Sequence, residues 1–154
     1  MLQDDEIREI EEEKAAAEHP RAACIDALRA VQRRRGWVSD EVLAEVAELL
    51  GMSVAELDDV ASFYNLVYRR PVGRHVILVC DSVSCWIMGG ERLGRSLVLS
   101  TGARPGETSA DGRFTVLPVA CLGACDRAPA IMIDEDLHAD LAPEALARIL
   151  ERYE

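Results

Sequence analysis

Four of the chain's five cysteines fall in two pairs, Cys80 and Cys85 in CDSVSC and Cys121 and Cys125 in CLGAC. Each pair follows an apolar, β-branched run of strand length, HVILVC or FTVLPVAC. If those strands lie side by side in one sheet, four sulfurs converge at one end of it. Converging thiolates in a reducing compartment suggest a soft metal. Zinc accepts four thiolates, often from pairs two to four residues apart, so the spacing leaves zinc open. A [2Fe–2S] cluster needs two thiolates on each of two irons, and two separated pairs meet that demand. Gly123, with no Cβ, permits backbone N–H groups to approach inorganic sulfide. A Rieske centre needs two histidines on one iron, and His19, His75 and His138 do not pair with the cysteines. A thioredoxin-type dithiol needs two intervening residues, and neither pair has that spacing. The chemistry favours iron–sulfur over zinc. Cys24 stands apart, as a small buried hydrophobe in a helix.

The compartment inferred from the sequence agrees with a metal rather than disulfides. The start, MLQDDEIREIEEEKAAAEHP, has neither the basic and apolar stretches of a signal peptide nor the basic character of a transit peptide. No apolar run approaches the roughly 20 residues that span a bilayer. A cytosolic chain is expected, and stable disulfides are not. The net charge of −11 argues against nucleic acid and anionic lipid as partners. Residues 1–18 hold eight acids against Arg8 and Lys14, a net −6. This segment reads as a solvated, partly frayed acidic helix. The sharper alternative is an acidic arm that seeks a basic partner.

The elements that must position the cysteines divide near Pro71–Gly73. Before that point the pattern is helical. PRAACIDALRAVQRRRG opens on a first-turn proline, repeats apolar residues at helical spacing and stops at Gly36. SDEVLAEVAELLG has Ser39 as its N-cap and Gly51 as its C-cap, and Ser53 with Glu56 has the spacing of a capping box. After that point HVILVC is a strand, and WIMGGERLGRSLVLS is a helix weakened by its glycines. GETSADGRFTVLPVAC is a hairpin turning at Asp111-Gly112, PAIMID another strand, and APEALARILERYE a closing helix with Pro143 in its first turn. This order suits an α/β layer.

GRHVILVCDSVSC, DGRFTVLPVACLGACDRAP and MIDEDLHADLAPE, preceded by VASFYNLVYRRPVG, resemble the E subunit family of bacterial NADH:quinone oxidoreductase, respiratory complex I. This is the family of the mitochondrial 24 kDa subunit. The resemblance spans roughly residues 19–154 with no departure at the four cysteines. It implies an α+β chain: an acidic N-terminal segment (1–18), a helical bundle (19–71) and a thioredoxin-like [2Fe–2S] domain (72–154). It implies one cluster on Cys80, Cys85, Cys121 and Cys125, each pair holding one iron. It further implies an electron-transfer subunit with no complete active site of its own. Its cluster exchanges electrons with FMN on the NADH-oxidising partner subunit, beside other peripheral-arm subunits, on the cytoplasmic face of the bacterial inner membrane. Related modules serve NAD-linked hydrogenases and formate dehydrogenases, the main alternative. A zinc-stabilised interaction domain is the alternative from another class.

Several neighbours carry expectations of their own. GGERLG follows a cysteine loop rather than a strand and is a poor dinucleotide fingerprint, so the sequence offers no NADH or FMN site; the resemblance implies that the partner subunit binds both. Asp81 and Asp126 oppose added negative charge at the cluster, so asparagine there should raise its potential. Against this stands ordinary loop solvation. Trp86, Met88 and Met132 read as core packing. Pro129 stands where thioredoxin-like domains often have a cis proline. FYNLVY reads as a seam between the two parts of the chain.

Overall fold

The computed structural model describes residues 1–154, which form two compact units, Met1–Pro71 and Val72–Glu154. No helix is long and apolar enough to cross a membrane.

The first unit is helical: α1 (Asp4–Ala16), α2 (Cys24–Arg35, entered through a 3-10 turn at Pro20–Ala23), α3 (Asp40–Leu50) and α4 (Val54–Phe63). The local signals act as the chemistry demands. The Val42 N–H donates to Ser39 Oγ at 3.4 Å, and the Glu56 N–H donates to Ser53 Oγ at 3.3 Å while Glu56 Oε2 accepts from the Ser53 N–H at 2.9 Å. Gly36 and Gly51 end their helices in the left-handed region, with φ of 80° and 63°. The core joins Ile10, Ala27, Leu28, Val31, Leu43, Val46, Leu50 and Leu57, with Cys24 half-buried at its margin.

The acidic segment departs from the expected frayed helix. α1 packs on α2, with Ile10 fully buried and Glu6 only 1% exposed. Its acids meet the Arg33-Arg34-Arg35 run inside the same unit. Arg34 Nε donates to Asp5 at 3.0 Å, Arg35 holds both oxygens of Glu6 at 2.6 and 2.5 Å, and Glu9 binds Arg33 and Arg34. The basic partner of the acidic arm is thus α2.

The second unit is a four-stranded mixed sheet of β1 (His75–Cys80), β2 (Phe114–Val119), β3 (Ile131–Ile133) and β4 (Asp136–His138) in the order β2-β1-β3-β4. β1 and β2 are parallel, β3 is antiparallel to β1, and β4 is antiparallel to β3. A parallel pair needs a crossover, which here is α5 (Val83–Ile87) and α6 (Gly90–Thr101). α7 (Leu146–Leu150) follows a 3-10 turn at Pro143–Ala145. Ile77, Phe114, Val116, Ile131 and Ile133 form the sheet side of a core closed by Leu93, Leu97, Leu146 and Leu150.

Three expectations change. The single helix across WIMGGERLGRSLVLS is two helices, broken at Gly89, whose φ of 99° no continuing helix tolerates. The expected hairpin keeps its Asp111-Gly112 turn and closes around it, the Ser109 N–H donating to the Phe114 carbonyl at 2.7 Å and the Val116 N–H to the Glu107 carbonyl at 3.1 Å, but its first arm forms a single bridge, Thr108 to Thr115, rather than a strand. β2 uses its other edge for β1. The fourth strand is DLH, too short and polar to read as a strand.

Candidate metal centre

The parallel register decides where the sulfurs go. Cys80 faces Val119, so both strands run out at the same end of the sheet, and Cys121 lies two residues beyond. Asp81 N–H donates to the Val119 carbonyl at 2.8 Å, which ties the first loop to the end of β2. Ser82 caps α5, its Oγ accepting from the Cys85 N–H at 3.3 Å, so Cys85 sits in the first turn of a five-residue helix. Gly90 lets α6 start directly against it: an added Cβ there would stand 2.7 Å from the Cys85 carbonyl oxygen.

The second loop turns at Gly123, where φ is 78°. Its N–H donates to Cys121 Sγ at 3.3 Å, and Cys121 Sγ lies 3.5 Å from Cys125 Sγ. Beyond Cys125, a cis Ala128–Pro129 bond leads into β3. The Asp140 N–H donates to the Arg127 carbonyl at 2.7 Å, the Leu141 N–H to the Pro129 carbonyl at 3.1 Å, and Arg127 Nε to Asp140 at 2.8 Å, pinning this loop from the far side.

All four predicted cysteines come together at this end, and all are free thiols. The Leu122 backbone of the second loop lies beside Cys80, the Ala130 backbone beside Cys85, and the Ser84 side chain of α5 beside Cys125. Cys80 and Cys85 are buried, with Leu122 and Ala128 packed against them, while Cys121 and Cys125 are exposed. Burial pushes the Cys80 thiol up, but hydrogen bonds from Ser82 and Leu122 outweigh it and hold Cys80 below the usual range. Burial pushes Cys85 up, assisted by Cys80. Cys125 is pushed up by its contact with Cys121.

The donor set fits a binuclear cluster. The sulfurs come as pairs, and the 3.5 Å between Cys121 and Cys125 is close to what two thiolates adopt on one tetrahedral metal with bonds of about 2.3 Å. The Gly123 N–H donates to Cys121 Sγ, and the Leu122 and Ala130 backbone lies beside Cys80 and Cys85, polar surroundings that suit a negatively charged centre. Gly123 is needed for its left-handed backbone, since an added Cβ meets nothing within 4 Å.

Other residues singled out in the sequence fall differently. Trp86 and Met88 are not core: they are 59% and 60% exposed, and Trp86 Nε1 donates to Glu91 at 3.2 Å. With α5 only five residues long, the face opposite Cys85 has nothing to pack on, and Val83 and Ile87 share that exposed ridge. Met132 is half-buried on β3. Asp81 and Asp126 are exposed at the loops. Phe63, at the start of FYNLVY, is 83% exposed. Ser82 carried no role in the sequence reading, and Gly90 only that of a helix weakener; the structure places both beside the first cysteine pair.

A profile of the thioredoxin-like [2Fe-2S] ferredoxin family matches residues 10–154. The E subunit of NADH-quinone oxidoreductase from Pseudomonas aeruginosa is 48% identical over 153 residues, 99% of this chain and 92% of that protein. The E subunit from Escherichia coli is 50% identical over 144 residues, 94% of this chain and 87% of that protein. Among solved structures, NAD+-reducing [NiFe]-hydrogenase in the H2-reduced state aligns with a TM-score of 0.68 at 28% identity, over 82% of this chain. The alignment covers 22% of that hydrogenase chain. Two cysteine loops at one end of a mixed sheet, the profile match and near-full-length identity agree: this chain belongs to the thioredoxin-like [2Fe-2S] ferredoxin family, with the E subunits of NADH-quinone oxidoreductase.

Proposed function

We propose that Cys80, Cys85, Cys121 and Cys125 hold one [2Fe–2S] cluster, each pair on one iron. We propose further that the chain passes single electrons between this cluster and the FMN of an NADH-oxidising partner subunit in NADH-quinone oxidoreductase. The observation that carries this reading is the meeting of two pairs of free thiols, from two parallel strands, at one end of the sheet. When bound, the cluster supplies one-electron chemistry. The chain's own residues do the rest. The cysteines act as thiolates, Gly123 presents its N–H group to Cys121, and Leu122 with Ala128 keeps water from Cys80 and Cys85. Cys121 and Cys125 lie on the open side, where a partner can come close enough for electron transfer.

NADH and FMN belong to the partner in this reading, and the chain is a non-catalytic part of the oxidoreductase. It sits on the cytoplasmic side of the inner membrane, beside further peripheral-arm subunits. A second reading places the same module in an NAD-linked hydrogenase or formate dehydrogenase, and the likeness to NAD+-reducing hydrogenase supports the hydrogenase form. The higher identity to the E subunits, over nearly all of both chains, favours the first.

Two measurements test this. Anaerobically purified chain should contain two irons and two acid-labile sulfides, with a paramagnetic signal after dithionite. Stoichiometric zinc in a colourless protein overturns it. Native co-purification should then bring down an FMN-containing NADH oxidase, and recovery of hydrogenase subunits instead would select the second reading.

A further inference from the structure

The Ser82 hydroxyl stands between the two cysteines of the first pair. Its oxygen accepts from the Cys85 N–H at 3.3 Å and lies 3.4 Å from Cys80 Sγ. The first contact fixes a lone pair of the oxygen. Once Cys80 is a thiolate, the sulfur has no proton to give, and only the hydroxyl hydrogen can make the second contact. One half-buried side chain thus starts the helix that carries Cys85 and directs its proton at the sulfur of Cys80.

We propose that Ser82 is a positioning residue that sets the reduction potential of the cluster by donating this hydrogen bond. The proposal rests on the ligand assignment above. Reduction adds one electron, supplied in the test by dithionite, and its charge spreads over the sulfurs. A donor to a thiolate sulfur favours the more negative state, so its removal lowers the potential. No other side-chain hydroxyl lies within hydrogen-bonding distance of Cys80. The alternative is that Ser82 serves only as the α5 cap, a role many helix starts give to serine.

The two roles separate by substitution. Ser82→Ala removes cap and donor together. Ser82→Gly removes the donor but keeps a helix start nearly as good as serine's. Ser82→Thr keeps both. The measurement is the midpoint of a redox titration followed by paramagnetic resonance on the anaerobic chain, with iron and sulfide counted in each variant. The expected result is a lower midpoint in Ser82→Gly and Ser82→Ala, corresponding to about a tenfold change in the one-electron equilibrium constant or ~59 mV. Ser82→Thr should match the parent. Unchanged midpoints in Ser82→Gly and Ser82→Ala at full iron content overturn the proposal. So does loss of iron in Ser82→Gly with retention in Ser82→Thr, which would make the hydroxyl a retention device. Parent chain without iron and sulfide fails at the ligand assignment, a different result from a loaded chain whose midpoint does not move.

Discussion

Gly90 and Gly123 hold the two cysteine loops for different physical reasons, and substitution should tell them apart. At Gly123 the left-handed φ of 78° is the constraint, and an added Cβ has open space. Gly123→Ala should therefore cost about 1–2 kcal/mol, the ordinary penalty of that backbone region. At Gly90 the contact is the constraint: a Cβ 2.7 Å from the Cys85 carbonyl forces backbone to move. Gly90→Ala should cost about 1–3 kcal/mol and also displace Cys85. Thermal melts with iron counts should show iron loss in Gly90→Ala exceeding that in Gly123→Ala; the reverse order would mean that the Cys85 contact relaxes freely. Asp81 and Asp126 act at longer range. Both are exposed, so water screens their charge, and Asp81→Asn or Asp126→Asn should raise the midpoint by less than the tenfold (~59 mV) effect expected at Ser82. A fall in midpoint on removing either carboxylate would contradict this electrostatic reading. The cysteine pairs were legible in the sequence because spacing and strand ends are local. The partner of each sulfur was not, since Leu122 and Ala130 reach Cys80 and Cys85 only through the sheet register.

The elements that could be read from the sequence are those whose ends carry their own chemistry. Ser39, Ser53 with Glu56, Gly36 and Gly51 define α2–α4 without help from the rest of the chain. Where the order depends on distant neighbours, the pattern misled. Residues 106–121 read as a hairpin of two strands; its arms do meet beside the turn, but only the second arm is a strand, because β1 pairs with it along its full length. α5 looks buried because Trp86, Ile87 and Met88 are apolar, yet a five-residue helix has one inward face, and Cys85 occupies it. α1 shows the opposite error, an acidic segment that looked solvated but has a packed seam. Glu6 is the centre of that seam: it accepts from Arg35 twice and caps the Gln3 N–H at 2.8 Å. Arg35 holds the Glu6 carboxyl below its ordinary range, against burial. Removing Glu6 leaves Arg35, 28% exposed at its side chain, with the Met1 carbonyl as its remaining hydrogen-bond partner and no paired charge. Glu6→Ala should cost about 2–3 kcal/mol, below the full penalty of a completely buried pair because water still reaches Arg35. Denaturant titration measures it, and a loss no larger than that of an exposed surface pair would mean that α1 is loosely docked after all.

Across the molecule, stability should have an acid edge and an alkaline edge that belong to different units. Six of the carboxyls held below their ordinary range, Asp5, Glu6, Glu9, Glu41, Glu45 and Glu56, lie in the first unit. Glu56 is lowered to about 2 by the Ser53 N–H and hydroxyl and by Arg21. A depressed carboxyl contributes stability above its unfolded value, near 4.5 for Glu, and loses it as the pH falls through the folded value. The first unit should therefore weaken steadily below about pH 4.5. In the second unit, burial and a hydrogen bond to Asp136 raise Tyr153 to about 12. The phenol contributes stability below its unfolded value near 10, and that contribution is lost as the pH rises from there to about 12. The two tryptophans make the acid edge observable. Trp37 reports on the first unit and Trp86 on the second, so a Trp86→Phe chain gives a fluorescence signal from the first unit alone. Its urea midpoint should fall between about pH 5 and pH 3, and more steeply than in the Glu6→Ala background, where one proton-linked group is gone. A midpoint flat across that interval would mean that the α1–α2 ion pairs contribute little to holding the first unit together.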